Sequence, residues 1–276
     1  MLDRVRQIVK RSTRRMPRVH DRARQVYVRL AFSLGAPHDM DFGFFRNLSG
    51  GGLLIDVGAN AGQAARSVRI FNPMLEILSF EPNRLLEPQL AATRQLLGRG
   101  FDYRMVGLGA DNYTAPLFVP MTEAIAHTSW ATLDAEMLAK NRALIEADLG
   151  GRFTVAEVAI EVRRFDDLGL RPVAVKLDTE GFELDVLRGM ACTLQHHEPV
   201  LMIESNSKSA EVVAWLQERG YFMFGYDPQR NMLEELPDVR ITSNYFALTE
   251  TALAKLQGER KCRIARPAKQ SPVAMA

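Results

Sequence analysis

Five carboxylates in this 276-residue chain stand where an apolar run gives way to a turn. In that position a carboxylate can accept hydroxyl hydrogen bonds, take up a proton or help hold a cation. Asp56 closes the run from Leu53, Glu81 follows Glu76–Phe80, Asp178 and Glu180 follow Val173–Leu177, and Glu204 closes Val200–Ile203. The first of these turns reads Asp56-Val57-Gly58-Ala59-Asn60-Ala61-Gly62, a D-x-G-x-N-x-G spacing. Glycine at a strand-to-helix turn permits φ > 0 and close approach of a ligand. The helix expected from Gln63 to Ile70 adds free N–H groups and a positive dipole end. The three-glycine spacing of a dinucleotide site is absent, and the spacing present suits S-adenosylmethionine better than a pyrophosphate. Asp56, Gly58, Asn60 and Gly62 are therefore candidate cofactor contacts. Glu81 joins them, because it lies about 20 residues downstream, where a doubly wound fold places the acid that accepts the two hydroxyls of a ribose.

The remaining acids suggest the reacting end. Adjacent strand ends lie roughly 5 Å apart, so Asp178, Glu180, Glu204 and Asn206 are expected to converge. Crowded carboxylates raise one another's pKa or recruit a divalent cation. A hydroxyl is a poor nucleophile until its proton leaves, and either device serves that need. Asp178, Glu180 and Glu204 are the candidate catalytic groups, and Asp178, Glu204 and Asn206 the candidate metal ligands, with Mg2+ the cation considered. Structural roles stand beside these: Asp178 holding the cofactor's amino group or nearby backbone, Glu180 facing a helix dipole, and Glu204 bonding its own loop.

The elements that position these groups alternate strand and helix, as a doubly wound sheet requires. Strands are expected at Leu53–Val57, Glu76–Phe80, Tyr103–Leu108, Val173–Leu177, Pro199–Glu204, Tyr221–Phe224 and Tyr245–Leu248. Residues 111–165 interrupt this order with a strand at Pro116–Val119, the stretch His127-Thr128-Ser129-Trp130, a helix through Leu133, Met137, Leu144 and Ile145, and a half-buried strand at Thr154–Val162. An insertion at the carboxyl edge is where acceptor specificity usually resides, which makes His127 and Trp130 candidate substrate contacts.

With these motifs in order, the chain resembles the FkbM family of S-adenosylmethionine-dependent methyltransferases. The carrying residues are Ile55–Gly62, Phe80-Glu81-Pro82-Asn83, the Lys176–Gly189 run and Pro199–Glu204. The resemblance implies an α/β, Rossmann-like seven-stranded methyltransferase sheet, mostly parallel with its last strand antiparallel and helices on both faces. It also implies O-methylation of a hydroxyl on a sugar, glycolipid or polyketide-type product, and it places Leu108, after the third strand, near the adenine. Related O-methyltransferases hold magnesium at similar strand ends. A nicotinamide-dependent oxidoreductase and a non-catalytic module on the same fold are the competing classes.

Charge is distributed unevenly. Residues 1–30 hold 10 Lys/Arg against 2 acids, residues 255–276 hold 6 against 1, and the intervening body carries a net charge of −11. An acidic body disfavours nucleic acid as substrate, whereas the basic ends suit an anionic membrane surface. The expected division is a basic helical extension over 1–49, a catalytic domain over 50–250 and a basic, disordered tail over 251–276. Within the extension, helices are expected at 2–15 and 18–34. Cys192 and Cys262 form no metal or disulfide pattern, which fits a cytoplasmic location, with peripheral membrane contact through the N-terminal helices. No signal-peptide core or spanning segment is expected.

Overall fold

The computed structural model describes residues 26–122, 125–259 and 261–266. The helix expected over 2–15 lies outside the described residues; of the second, residues 26–33 are helical. A 3-10 segment, Met40–Asn47, then buries Phe42, Phe44 and Phe45. Phe44 meets Phe246 at 4.6 Å between ring centroids and Tyr226 at 5.8 Å. The expected boundary at residue 49 therefore falls within one packed core.

Strand β1 (Gly52–Val57) leads through the glycine turn into α1 (Gln63–Phe71), and β2 (Leu75–Phe80) is followed by α2 (Glu87–Leu97) and β3 (Phe101–Arg104). The strand expected at Tyr103–Leu108 breaks here. Its second half is β4 (Gly107–Gly109), which joins a separate sheet with β5 (Tyr113–Thr122), β6 (Ile125–Ala126) and, beyond the short helices α3 (Ala135–Lys140) and α4 (Arg142–Leu149), β7 (Thr154–Arg164). The main sheet resumes with β8 (Pro172–Leu177), α5 (Glu183–Gly189), α6 (Ala191–His197), β9 (Val200–Glu204), α7 (Ser209–Gln217), β10 (Tyr221–Asp227), β11 (Met232–Glu235), β12 (Asn244–Thr249), α8 (Glu250–Gly258) and β13 (Arg263–Ala265). A Cβ on Gly189 would lie 1.9 Å from the Gly109 carbonyl oxygen, so β4 rests directly on the backbone of α5.

The main sheet runs β13-β11-β10-β12-β9-β8-β1-β2-β3. Strands β3, β2, β1, β8 and β9 are parallel, and β12 is antiparallel to both β9 and β10. This is the α/β, Rossmann-like arrangement expected, with nine strands in place of seven. The two additions, β11 and β13, extend the β10 edge. Strand β13 also corrects the expectation of a tail disordered from residue 251: Leu253, Leu256 and Cys262 are buried, and β13 pairs with β11. Their apolar side chains give α8 and β13 a packed face despite the local basic charge. Residues 267–276 lie outside the described residues.

Alternation along β1 explains the layers. Leu54 packs with Ala64, Ala65, Val68 and Leu90 on one face, whereas Ile55 and Val57 pack with Val186, Leu187, Val212 and Leu216 on the other. The parallel order reverses between β1 and β8, which opens a crevice at their carboxyl ends.

Candidate functional site

The glycine turn lies at this crevice. Gly58 and Ala59 donate their N–H groups to the Phe80 carbonyl at 3.0 and 3.1 Å, fastening the β1 turn to β2. Gly58, Asn60 and Gly62 all have positive φ. A Cβ on Gly58 would lie 1.7 Å from the Asp178 carbonyl oxygen, and one on Gly62 would lie 2.8 Å from Thr93 Cγ2. These glycines are required by the protein's own packing, a constraint additional to ligand access. Helix α1 follows Gly62, and no side chain caps its first N–H groups.

Glu81 ties two loops together. Its carboxylate accepts the Asn60 N–H at 2.8 Å and the Asn83 N–H at 2.9 Å. Burial pushes this carboxyl up to about 7, against the lowering effect of those two bonds. Beside it, the buried Asn83 Nδ2 has no hydrogen-bond partner, and neither does Gln63 Oε1 at the start of α1. Asp56 departs from its expected role. It has no exposed surface, accepts the Ser79 hydroxyl at 2.7 Å, and lies 3.6 Å from Lys176 Nζ. Its position at the end of β1 turns it into the sheet, so it supports the crevice and does not line it.

Lys176 organises the next strand end. Its ammonium group reaches Asp178 Oδ2 at 3.0 Å and donates to the Gly58 carbonyl at 3.2 Å while facing Asp56. Burial alone would lower its pKa, but the charges of Asp56 and Asp178 raise it above the usual value. The sequence carried a signal for this residue: a lysine within the apolar strand Val173–Leu177 must be paired if it is buried.

Asp178, Glu180 and Glu204 converge as expected, with one carboxylate oxygen from each within 4.8 Å of the others. Their ionisation differs. Burial works to raise Asp178, but Lys176 and a hydrogen bond from Glu204 outweigh it and hold Asp178 below the usual carboxylate range. Burial, that shared hydrogen bond and the charges of Asp178 and Glu180 push Glu204 up to about 8. Burial and the charges of Asp178 and Glu183 also raise Glu180, whose backbone has φ +53°. Of the pair, Asp178 is thus the carboxyl that ionises first and Glu204 the one that keeps its proton longer.

Asn206 does not join this cluster. Its Nδ2 donates to Glu183 Oε2 at 2.9 Å, and its Oδ1 accepts the Lys208 N–H at 2.9 Å. Glu183 is a further residue the sequence reading missed. It is 1% exposed and accepts the N–H groups of Thr179 and Gly181 and the Thr179 hydroxyl, which fixes the turn carrying Glu180. The segment before Phe42 also reaches the site. Asp39 and Asp41 each accept from Asn244 Nδ2 at 3.1 Å, and Asn244 stands opposite Glu204 in the β9–β12 register. His38, whose N–H bonds Ser67 Oγ at 2.8 Å, adds a charge interaction that lowers Asp178. Nothing in local spacing linked residues 38–41 to strand ends far downstream.

The other expected contacts have structural partners. Leu108 is 7% exposed and packs in the core with Phe80, Phe165 and Val186, so its side chain is turned away from the crevice. His127 Nε2 meets the Thr122 hydroxyl. The Trp130 indole donates to Asp148 at 3.0 Å and packs against Leu138, Ile145 and Phe153.

A family model described as the methyltransferase FkbM domain matches residues 56–223. A search of curated proteins finds no match. Among solved structures, an FkbM methyltransferase from Methylobacillus flagellatus KT is 16% identical with a TM-score of 0.49; the match covers 82% of this chain and 54% of that one. This chain thus spans about half the length of that protein. A precorrin-6y C5,15-methyltransferase from Geobacter metallireducens GS-15 is 11% identical with a TM-score of 0.39, over 75% of this chain and 82% of that one. A SAM-dependent O-methyltransferase from Thermotoga maritima is 12% identical with a TM-score of 0.37, over 77% and 65%. The family model spans well over half of the chain and runs from Asp56 at the end of β1 into β10, so the chain belongs to the FkbM methyltransferase family.

Proposed function

We propose that this chain transfers a methyl group from S-adenosylmethionine to a hydroxyl of a sugar, glycolipid or polyketide-type product, with the Asp178–Glu204 pair receiving the hydroxyl proton. The observation that carries this reading is contiguity. The glycine turn and the carboxylate cluster touch through Gly58 and Asp178, so a donor on the first would place its methyl beside the second. The donor fits the residues present: Glu81 keeps carboxylate lone pairs for a ribose diol, Asn83 Nδ2 is a buried donor without a partner, and α1 offers uncapped N–H groups. When bound, S-adenosylmethionine supplies the electrophilic methyl. The protein's part is to hold the hydroxyl in line and accept its proton. Lys176 keeps Asp178 charged, and Asp178 hydrogen-bonds Glu204, so the pair has one site ready for that proton once Glu204 ionises. The insertion over 111–165 remains our choice for reading the acceptor.

A second reading has its own observation. Three carboxylate oxygens within 4.8 Å suit a divalent cation such as Mg2+, with Glu180 replacing Asn206 in the ligand set. Loss of turnover on chelation, restored by magnesium, would favour it over the proton-accepting pair. The primary test is calorimetric titration with S-adenosylmethionine, S-adenosylhomocysteine and NAD. Binding of NAD alone would replace the proposal with an oxidoreductase. Mass spectrometry of glycans, glycolipids and secreted products from cells with and without the gene would then identify the acceptor.

A further inference from the structure

We infer that the N-terminal helix is a docking surface for an anionic lipid bilayer. In the helical stretch 26–33, Tyr27, Val28, Ala31 and Phe32 are half-buried. The opposite side is also apolar. Val26 is 67% exposed, Leu30 49% and Leu34, just past the helix, 63%. Spacing of four residues places these three side chains in one stripe.

Charge identifies what covers it. The stripe ends a 34-residue stretch whose first 30 residues carry 10 Lys/Arg against 2 acids, while the body beyond is strongly acidic. A symmetric pairing of two copies through this stripe would bring two such basic segments together, which like-charge repulsion opposes. A bilayer containing acidic lipids meets both needs, with acyl boundary for the aliphatic stripe and negative headgroups for the arginines. The contact is interfacial: among the described residues no helix is long and apolar enough to cross a membrane. Leu34 precedes Asp39 by five positions, so the docking face is followed closely by the segment whose Asp39 and Asp41 bond Asn244.

The test is co-sedimentation of the full chain with vesicles of phosphatidylcholine alone and of phosphatidylcholine mixed with phosphatidylglycerol, alongside light scattering of the free protein. The expected result is binding to the mixed vesicles only, released at about 1 M salt, where the screening length falls to ~3 Å. The double variant Leu30→Glu, Leu34→Glu should weaken binding roughly tenfold or more, because it removes apolar contact and adds two negative charges. If circular dichroism shows that variant unfolded, Leu30→Ser with Leu34→Ser performs the same test. The inference is overturned by absence of binding, by equal binding to both vesicles, or by a folded variant that binds as tightly as the parent. It is equally overturned if the parent is a dimer and the variant a monomer.

Discussion

The two halves of the crevice are built by different means. At the ends of β1 and β2, polar groups are satisfied by backbone: Gly58 and Ala59 on the Phe80 carbonyl, and Glu81 on the N–H groups of Asn60 and Asn83. At the ends of β8 and β9 the work falls to side chains that face one another. Lys176 stands between Asp56 and Asp178, Glu204 bonds Asp178, and Glu183 holds Asn206. The first half is a cradle fastened by backbone hydrogen bonds around one buried carboxyl, Glu81; the second is an assembly of charged side chains that face one another. A backbone cradle suits a constant donor, and adjoining carboxyls suit a step that moves a proton.

The strongest test of this contrast is on the side-chain half. Glu204→Gln should lower turnover by roughly 10²–10⁴-fold while donor affinity changes little. In the parent enzyme the rate should rise with pH through about 8, because Glu204 holds a proton below that value and can accept one only above it. A pH–rate profile with that limb intact in the variant would remove Glu204 from the step. Lys176→Met should cost about 3–5 kcal/mol in denaturant unfolding, since it strands the fully buried Asp56 beside Asp178. Adding Asp56→Asn should recover much of that stability without restoring turnover, and a double-mutant cycle measures the coupling.

The backbone half should respond to shape. Gly58→Ala is expected to destabilise by about 2–4 kcal/mol, because its Cβ meets the Asp178 carbonyl in addition to the positive-φ cost. Gly181→Ala, with φ +98° and its nearest neighbour 3.6 Å away, should cost only about 1–2 kcal/mol. Equal losses in the two variants would deny that the Gly58 contact matters. The donor side of the cradle is read through affinity. Glu81→Gln should weaken S-adenosylmethionine binding by about 1.5–3 kcal/mol, read by calorimetry, with the melting curve reporting any loosening of the Asn60 loop.

This division also explains what could be read from the sequence. A backbone cradle leaves a local signature, so Gly58, Asn60, Gly62 and Glu81 were visible as a spaced motif, and the strand ends predicted the convergence of Asp178, Glu180 and Glu204. Which way a strand-end side chain turns is not a local property. Asp56 and Leu108 face the interior, and Asn206 turns to Glu183, because partners distant in the chain claim them. The reach of Asp39 and Asp41 to Asn244 spans about two hundred residues and follows only from the sheet order. Strand β13 escaped notice because three residues in a basic segment carry almost no pattern of their own.

The contact between Gly109 and Gly189 has a consequence for how new acceptors can arise. The second sheet is mounted on α5 where two main chains touch, with no side chain between them, and α5 follows directly from the turn bearing Glu180. Around that contact Leu108 packs with Val186, and Val162 of β7 closes on Gly109, so the joint is fixed by a few residues of β4, β7 and α5. Residues 113–161 should therefore be exchangeable as a cassette between related chains, provided both glycines, Leu108 and Val162 stay. On the proposed reading of this insertion as the acceptor-binding arm, natural variation and laboratory grafting would share one route to altered specificity: change the arm and leave the hinge pin in place.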